Sequence, residues 1–236
     1  MIRKFLAITS IFFITSCAEL QQVVDSLPQE TGSILSNADI GAGLREALDK
    51  GIEKQVSKLT QKDGYLNNQL VKILLPEELK KVDKGLRDIG LSKLADEGLK
   101  VLNRAAEDAV GTATPIFVSA VKNITFNDAK NILLGGDNAA TTYLQNGTNS
   151  ALYAQFNPVI KNSFSKVGAD KVWTNIITKY NSIPFVKKVN PDLTDYTTQE
   201  ALKGVYTMIA VEEKEIRTKV GARSTALLQK VFAMQD

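Results

Sequence analysis

The sequence predicts an all-α fold, a single domain of roughly eight to ten mostly short helices arranged as an irregular bundle. Three observations carry this. Apolar residues recur at three- to four-residue spacing along most of the chain, the period of a helix face rather than a strand. No segment alternates polar and apolar residues long enough to read as a half-buried strand. Pro and Gly cut the helical pattern at irregular intervals, which argues against a simple four-helix bundle, and no fixed period suggests a solenoid.

Each element follows from its local pattern. Ile40, Leu44, Leu48, Ile52, Val56 and Leu59 mark a first helix with Asn37 as its N-cap, and Asp63-Gly64 breaks it. Pro76 opens the next helix at its first turn, with Glu77 and Glu78 placed where carboxylates suit the helix dipole. Leu86 to Gly90 ends that helix and Ser92 caps another, whose inner face holds Leu94, Gly98, Val101, Leu102, Ala105 and Ala109. Thr114-Pro115 interrupts before Ile116-Phe117-Val118, and a short helix from Asn127-Asp128 stops at Gly135-Gly136. Ala139 to Leu144 and then Leu152, Phe156, Val159, Ile160 and Phe164 form a segment interrupted by Pro158. Val172, Trp173, Ile176, Ile177 and Tyr180 mark a further helix, and Asn181 to Asp195, with Pro184 and Pro191, is the longest loop. Thr197-Thr198-Gln199-Glu200 has capping-box spacing and opens a helix through Ile216, before a last helix from Arg223 to Phe232.

The N-terminus carries an address. Arg3 and Lys4 precede ten residues, Phe5 to Ile14, that are apolar enough for a signal peptide and too few to span a membrane comfortably. Ile14-Thr15-Ser16-Cys17 then reads as a lipobox: small side chains at the scissile bond, cleavage between Ser16 and Cys17, and a thiol to carry the lipid. The predicted organisation is residues 1–16 as signal peptide, 17–36 as lipidated cysteine and tether, and 37–236 as the helical domain. Ala18 stands where aspartate would retain a lipoprotein at the inner membrane of many diderm bacteria. An outer-membrane, periplasm-facing location is therefore expected, with surface exposure left open.

Composition narrows the chemistry. Without residues 1–16 the chain has 27 basic and 26 acidic residues, a net charge of +1, and no dense Lys/Arg block. A nucleic-acid partner is unsupported, and membrane attachment rests on the acyl chains. Cys17 is the only cysteine and the chain has no histidine. Ser-His-Asp and Cys-His catalysis and histidine-ligated zinc are thereby removed, leaving carboxylate, lysine, tyrosine or hydroxyl chemistry. Asp63-Gly64 and Asp137-Asn138 lack the regular oxygen spacing of a calcium loop, so neither a metal nor a cofactor is expected.

The run Gly135-Gly136-Asp137-Asn138-Ala139-Ala140-Thr141-Thr142-Tyr143 resembles a bacterial family. So does Glu213-x-Glu215-Ile216-Arg217 followed by Arg223-Ser224-Thr225 and Leu227 to Phe232. The family is domain of unknown function four-one-nine-seven, and Phe156-Asn157-Pro158-Val159-Ile160, Val167-Gly168-Ala169 and Asp192 to Tyr196 are similar to its blocks too. The resemblance covers roughly residues 34 to 236. It implies helical, secreted or lipid-anchored proteins and no assigned activity. Where the family pattern has a proline after the Ile-Arg pair, this chain has Lys219-Val220-Gly221, which implies a looser turn there.

The candidate ligand-binding residues are Gly135, Gly136, Asp137, Tyr143, Trp173, Glu212 and Arg217. Gly135-Gly136-Asp137 is either an anion site at a helix start or a tight turn with Asp137 as N-cap. Glu212 falls on an apolar stripe, four residues from both Met208 and Ile216. A carboxylate there is a general acid, a ligand contact, or one half of an ion pair with Arg217, Arg223 or another basic residue. Tyr143, Tyr153, Phe156, Phe164, Trp173 and Tyr180 either line an apolar pocket or are core. The expectation is a non-catalytic envelope lipoprotein that binds a protein partner or an apolar small molecule. The alternatives are a carboxylate enzyme acting on an envelope glycan or lipid, and a structural part of a lipoprotein assembly.

Overall fold

The computed structural model describes residues 36–233, apart from 89, 91, 183, 186, 187 and 191. The signal segment, Ser16, Cys17 and the tether through residue 35 lie outside the described residues. Among the described residues there are nine α-helices, one 3-10 turn and no strand. The helices are α1 (Asn37–Thr60), α2 (Glu77–Asp88), α3 (Ser92–Val110), α4 (Thr114–Lys122) and α5 (Phe126–Leu133). They continue with α6 (Ala139–Lys166), α7 (Ala169–Asn181), α8 (Leu193–Thr218) and, after the turn Val220–Ala222, α9 (Ala226–Phe232).

α6 and α8 form the centre. α6 packs against α8 and α3, while α1 lies on α8 and carries α4, α5 and α9 around it. α6 buries every fourth residue, Ala140, Leu144, Thr148, Leu152, Phe156, Ile160 and Phe164. That row is the i±4 ridge by which one helix seats in the groove of another. α8 is buried on more than one side, with Leu202, Val205, Tyr206, Met208, Ile209 and Ile216 all in the core. Phe117 of α4 meets Tyr206 edge to face, ring centroids 6.0 Å apart at 88°, a geometry aromatic quadrupoles favour.

Four local expectations are corrected. Ser36, not Asn37, caps α1: its hydroxyl accepts from Asp39 N, and Asp39 accepts from Ser36 N, closing a capping box. Ser92 is the first helical residue of α3 rather than a cap before it. Pro158 does not interrupt α6, which runs through it. The carbonyl of Ala154 that loses its partner there lies on an exposed residue, where water can satisfy it. Thr197 is a buried residue inside α8, which starts four residues earlier. Asp192 is the N-cap, its carboxylate accepting Thr194 N at 2.8 Å as Leu193 enters the core.

The connection from α1 to α2 is held open by polar side chains of α3. Glu107 accepts from Asp63 N (3.3 Å) and Tyr65 N (3.2 Å), while Arg104 donates to both Glu107 and Asp63 at 2.6 Å. Asn103 bonds Ile73 N and O at 2.8 and 2.9 Å, so its amide satisfies the buried backbone of Ile73, which lies outside any helix. The buried Tyr65 hydroxyl donates to Ala201 O of α8 at 2.8 Å. Together these make a loop of more than a dozen residues a fixed wall beside α8.

Candidate functional site

The two blocks that look most chemical, Gly135 to Tyr143 and Glu213 to Arg217, meet in one junction. Helix ends leave amides and carbonyls without intrahelical partners. Glu213 of α8 supplies both carboxylate oxygens to the start of α6: Oε1 accepts from Ala140 N at 2.9 Å, and Oε2 from Thr141 N and Thr141 Oγ1 at 2.8 Å. Arg217, one turn on, donates Nε and Nη2 to Glu213 Oε1 at 3.0 and 2.8 Å. Its Nη2 and Nη1 also donate to Ile132 O (2.8 Å) and Leu133 O (3.3 Å) at the end of α5. The anion therefore faces the positive end of one helix dipole and the cation the negative end of another. Arg223 continues the scheme by donating to Ile216 O and Arg217 O at the end of α8, both at 3.0 Å.

This junction corrects the reading of Asp137 as N-cap. Asn138 occupies the cap position without a side-chain bond, and Glu213 does the capping from a distant helix. Gly135 is required by close approach, because a Cβ there would sit 2.6 Å from Ala139 Cβ and 2.9 Å from Asn131 O. Gly136 faces open space.

Glu212 pairs with a residue of α1, not with Arg217. Lys54 Nζ donates to Oε1 and Gln55 Nε2 to Oε2, both at 2.6 Å. Glu212 is 8 % exposed and, with Arg217, lines a cavity of about 20 Å³ whose other walls include Leu48, Ile52, Ala140 and Phe232. That space holds about one water molecule. Glu213 has its lone pairs committed to backbone and guanidinium donors, and the space beside Glu212 is too small for a substrate.

The remaining candidates fall elsewhere. Tyr143 is half-buried, its hydroxyl 3.4 Å from Asp128 Oδ2, and burial followed by that carboxylate raises its pKa. Asp128 sits below the usual carboxylate range chiefly through its hydrogen bond with the Thr125 hydroxyl, the cap of α5. Trp173 of α7 is buried against Gly98 of α3, where a Cβ would lie 2.5 Å from Trp173 Cζ2. With Phe164 it borders a cleft of about 240 Å³ that Tyr143 and Phe156 do not reach. Among the described side chains, which do not include Tyr180, the aromatics are thus spread through the fold rather than gathered in one pocket.

The larger concavities lie along the exposed ridge of α8. One groove, about 550 Å³, runs between α8 and the wall formed by residues 70–77, with Leu70 and Leu74 at its edge, 64 and 53 % exposed. Tyr196 ties that wall to α8 by donating to Leu74 O at 2.8 Å. The second, about 540 Å³, lies between α6 and α8, and both include Glu200, Lys203 and Thr207. Its floor is fixed by Tyr206, whose hydroxyl is 2.8 Å from Thr148 Oγ1. Burial raises the Tyr206 phenol pKa against that opposing hydrogen bond.

The sequence of these blocks fits one family. Residues 34–233 match the model described as Protein of unknown function (DUF4197). The chain belongs to this family. No curated protein and no solved structure matches it. In this DUF4197 domain the runs Gly135 to Tyr143 and Glu213 to Arg217 form one helix-end junction. The spacing of Glu213 and Arg217, an i,i+4 pair on the stripe of Ile209 and Ile216, was the signal available for their pairing. The facing of the two groove walls had no comparable signal, because α6 and α8 lie far apart in sequence.

Proposed function

We propose that this protein is an envelope lipoprotein, anchored at the outer membrane through lipids on Cys17, whose DUF4197 domain is a non-catalytic binding module. One observation carries the binding reading. The buried charges of the family blocks are used up in joining helix ends, while open concave surface lies along both sides of α8. Among the described residues no helix is long and apolar enough to cross a membrane, so attachment in this reading depends on the lipobox. An enzyme working through Glu212 is disfavoured because Lys54 and Gln55 engage both its oxygens and the cavity it lines is water-sized.

The test begins with the intact chain expressed in a diderm bacterium. Mass spectrometry of its N-terminus is expected to find Cys17 as the first residue carrying a diacylglyceryl group, with the protein in the outer-membrane fraction. A retained Met1 or an unmodified thiol would refute the anchor. Native mass spectrometry from micelles, with crosslinking in parallel, is expected to reveal a bound molecule or a defined partner. Turnover of an envelope component that is lost in Glu212→Gln without loss of folding would refute the non-catalytic reading.

A further inference from the structure

The groove between α6 and α8 has a chemical character that the rest of the surface lacks. From Asn138 to Ile160 the chain carries no charged residue over 23 positions, although 23 % of the whole chain is charged. Much of that stretch is exposed, so burial does not account for the missing charge. Asn138, Thr142, Gln145 and Asn149 are spaced by four, three and four residues, which sets them on one face of α6 and along one wall of the groove. Gln199, Lys203 and Thr207 stand at four-residue intervals along the facing wall from α8.

The wall's side chains are unspent. Among the described residues, none of the side-chain amides of Asn138, Gln145, Asn149 and Gln199, nor the Thr142 hydroxyl, makes a hydrogen bond. Each amide offers two donors and an acceptor, and the hydroxyl offers both. The two charges present, Glu200 and Lys203, lie 3.6 Å apart and offset one another. Beneath them the floor is rigid: Glu213 holds Thr141, and Thr148 bonds both Leu144 O (2.6 Å) and Tyr206. The volume of about 540 Å³ lies within the range of about 300–1,000 Å³ usual for ligand sites.

A site without net charge gives no preference to a phosphate or a carboxylate, and a wall of amides and hydroxyls is a poor home for an acyl chain. It matches a ligand that donates and accepts many hydrogen bonds without charge. We infer that the α6/α8 groove binds an uncharged oligosaccharide bearing hydroxyl or acetamido groups. This rests on the reading of the domain as a binding module and names the class of its ligand.

The experiment titrates the intact chain, held in zwitterionic micelles free of sugar headgroups, with soluble N-acetylglucosamine oligomers and with maltooligosaccharides. Nuclear magnetic resonance follows the Asn and Gln side-chain amides. The expected result is saturable binding of one series that shifts the amides of Gln145, Asn149 and Gln199. Asn149→Leu and Gln199→Leu should each weaken it about tenfold or more with unchanged melting temperature. Gln155→Ala, on α6 but outside the groove, should bind like the parent. Failure of both series to bind, or binding indifferent to both leucine variants, overturns the inference. A crosslinked protein partner seated in this groove would also overturn it while leaving the binding-module reading intact. Cleavage of the oligosaccharide would instead support the site and overturn the non-catalytic reading.

Discussion

Glu213→Ala should be among the most damaging single substitutions in this domain. It removes the acceptor for Ala140 N, Thr141 N and Thr141 Oγ1, and it strips the buried guanidinium of Arg217 of its counter-charge. Breaking one side of a buried ion pair costs about 3–5 kcal/mol, and losing a helix N-cap about 0.5–2 kcal/mol. These overlap, because one carboxylate performs both tasks, so the expected loss is about 4 kcal/mol. With a urea slope near 2 kcal/mol/M, the midpoint falls by about 2 M. Arg217→Met should cost somewhat less, because Glu213 keeps its three donors on α6 and the carbonyls of Ile132 and Leu133 lose only the guanidinium contacts. The decisive measurement is the double-mutant cycle of Glu213→Gln with Arg217→Met by urea unfolding. The double variant should be more stable than additivity allows, with a coupling of about 2 kcal/mol. Additive effects, or a cost for Glu213→Ala below about 1 kcal/mol, would show that water replaces these contacts and that the junction does not hold the fold.

Three further outcomes follow from particular contacts. Gly204→Ala places a Cβ 2.6 Å from Tyr65 Cε1 on a buried ring, so it should cost about 1–3 kcal/mol, or roughly 2–12 °C of melting temperature. A neutral result in thermal unfolding would mean that Tyr65 can move. Burial, reinforced by Glu107, holds the Tyr65 phenol neutral well above its usual 10.0. The unfolded chain releases that proton first, so stability from this group is present below pH 10 and is lost as pH rises beyond it. Tyr65→Phe should lower stability by about 1 kcal/mol at pH 8 through the lost bond to Ala201 O, yet flatten the alkaline decline; an unchanged slope between pH 9 and 11 would contradict this. Gly98→Ala pushes on Trp173, the single tryptophan of the chain, and should shift its fluorescence to the red as the ring moves toward the cleft beside Phe164. An unaltered spectrum would place the accommodation in α3 instead.

How much of this was legible depended on whether the decisive contact is local. Helix existence was, because α1 buries Leu44, Leu48, Ile52, Val56 and Leu59 at the spacing a helix face demands. The short helix before Gly135-Gly136 was legible for the same reason, though it starts at Phe126, capped by Thr125, rather than at Asn127. Helix starts were less so, because competing caps stand a few residues apart: Ser36 beside Asn37, and Asp192 before Thr197. Ser36 wins through its reciprocal bonds with Asp39, and Asp192 wins where Leu193 enters the core. Pro158 misled because its cost depends on whether the freed carbonyl meets water, which sequence does not state. Glu212 was recognisable as needing a partner, yet the partner is Lys54 of α1, 158 residues away. Capping of α6 by Glu213 spans more than seventy residues and left no local trace.

These two kinds of residue separate stability from recognition. Substitutions at Glu213, Arg217 or Gly135 act on the ends of α5 and α6, so any loss of function they cause should track loss of fold and recover at lower temperature. Substitutions at Gln145, Asn149 or Gln199 touch exposed side chains with no internal partner, and exposed changes of that kind usually move stability by no more than about 0.5 kcal/mol. A loss of binding from that second group at constant melting temperature cannot be routed through folding. Such a result would assign the Glu213–Arg217 junction to the scaffold and recognition to the uncharged face of α6, part of which, Asn138 and Thr142, lies inside a family block.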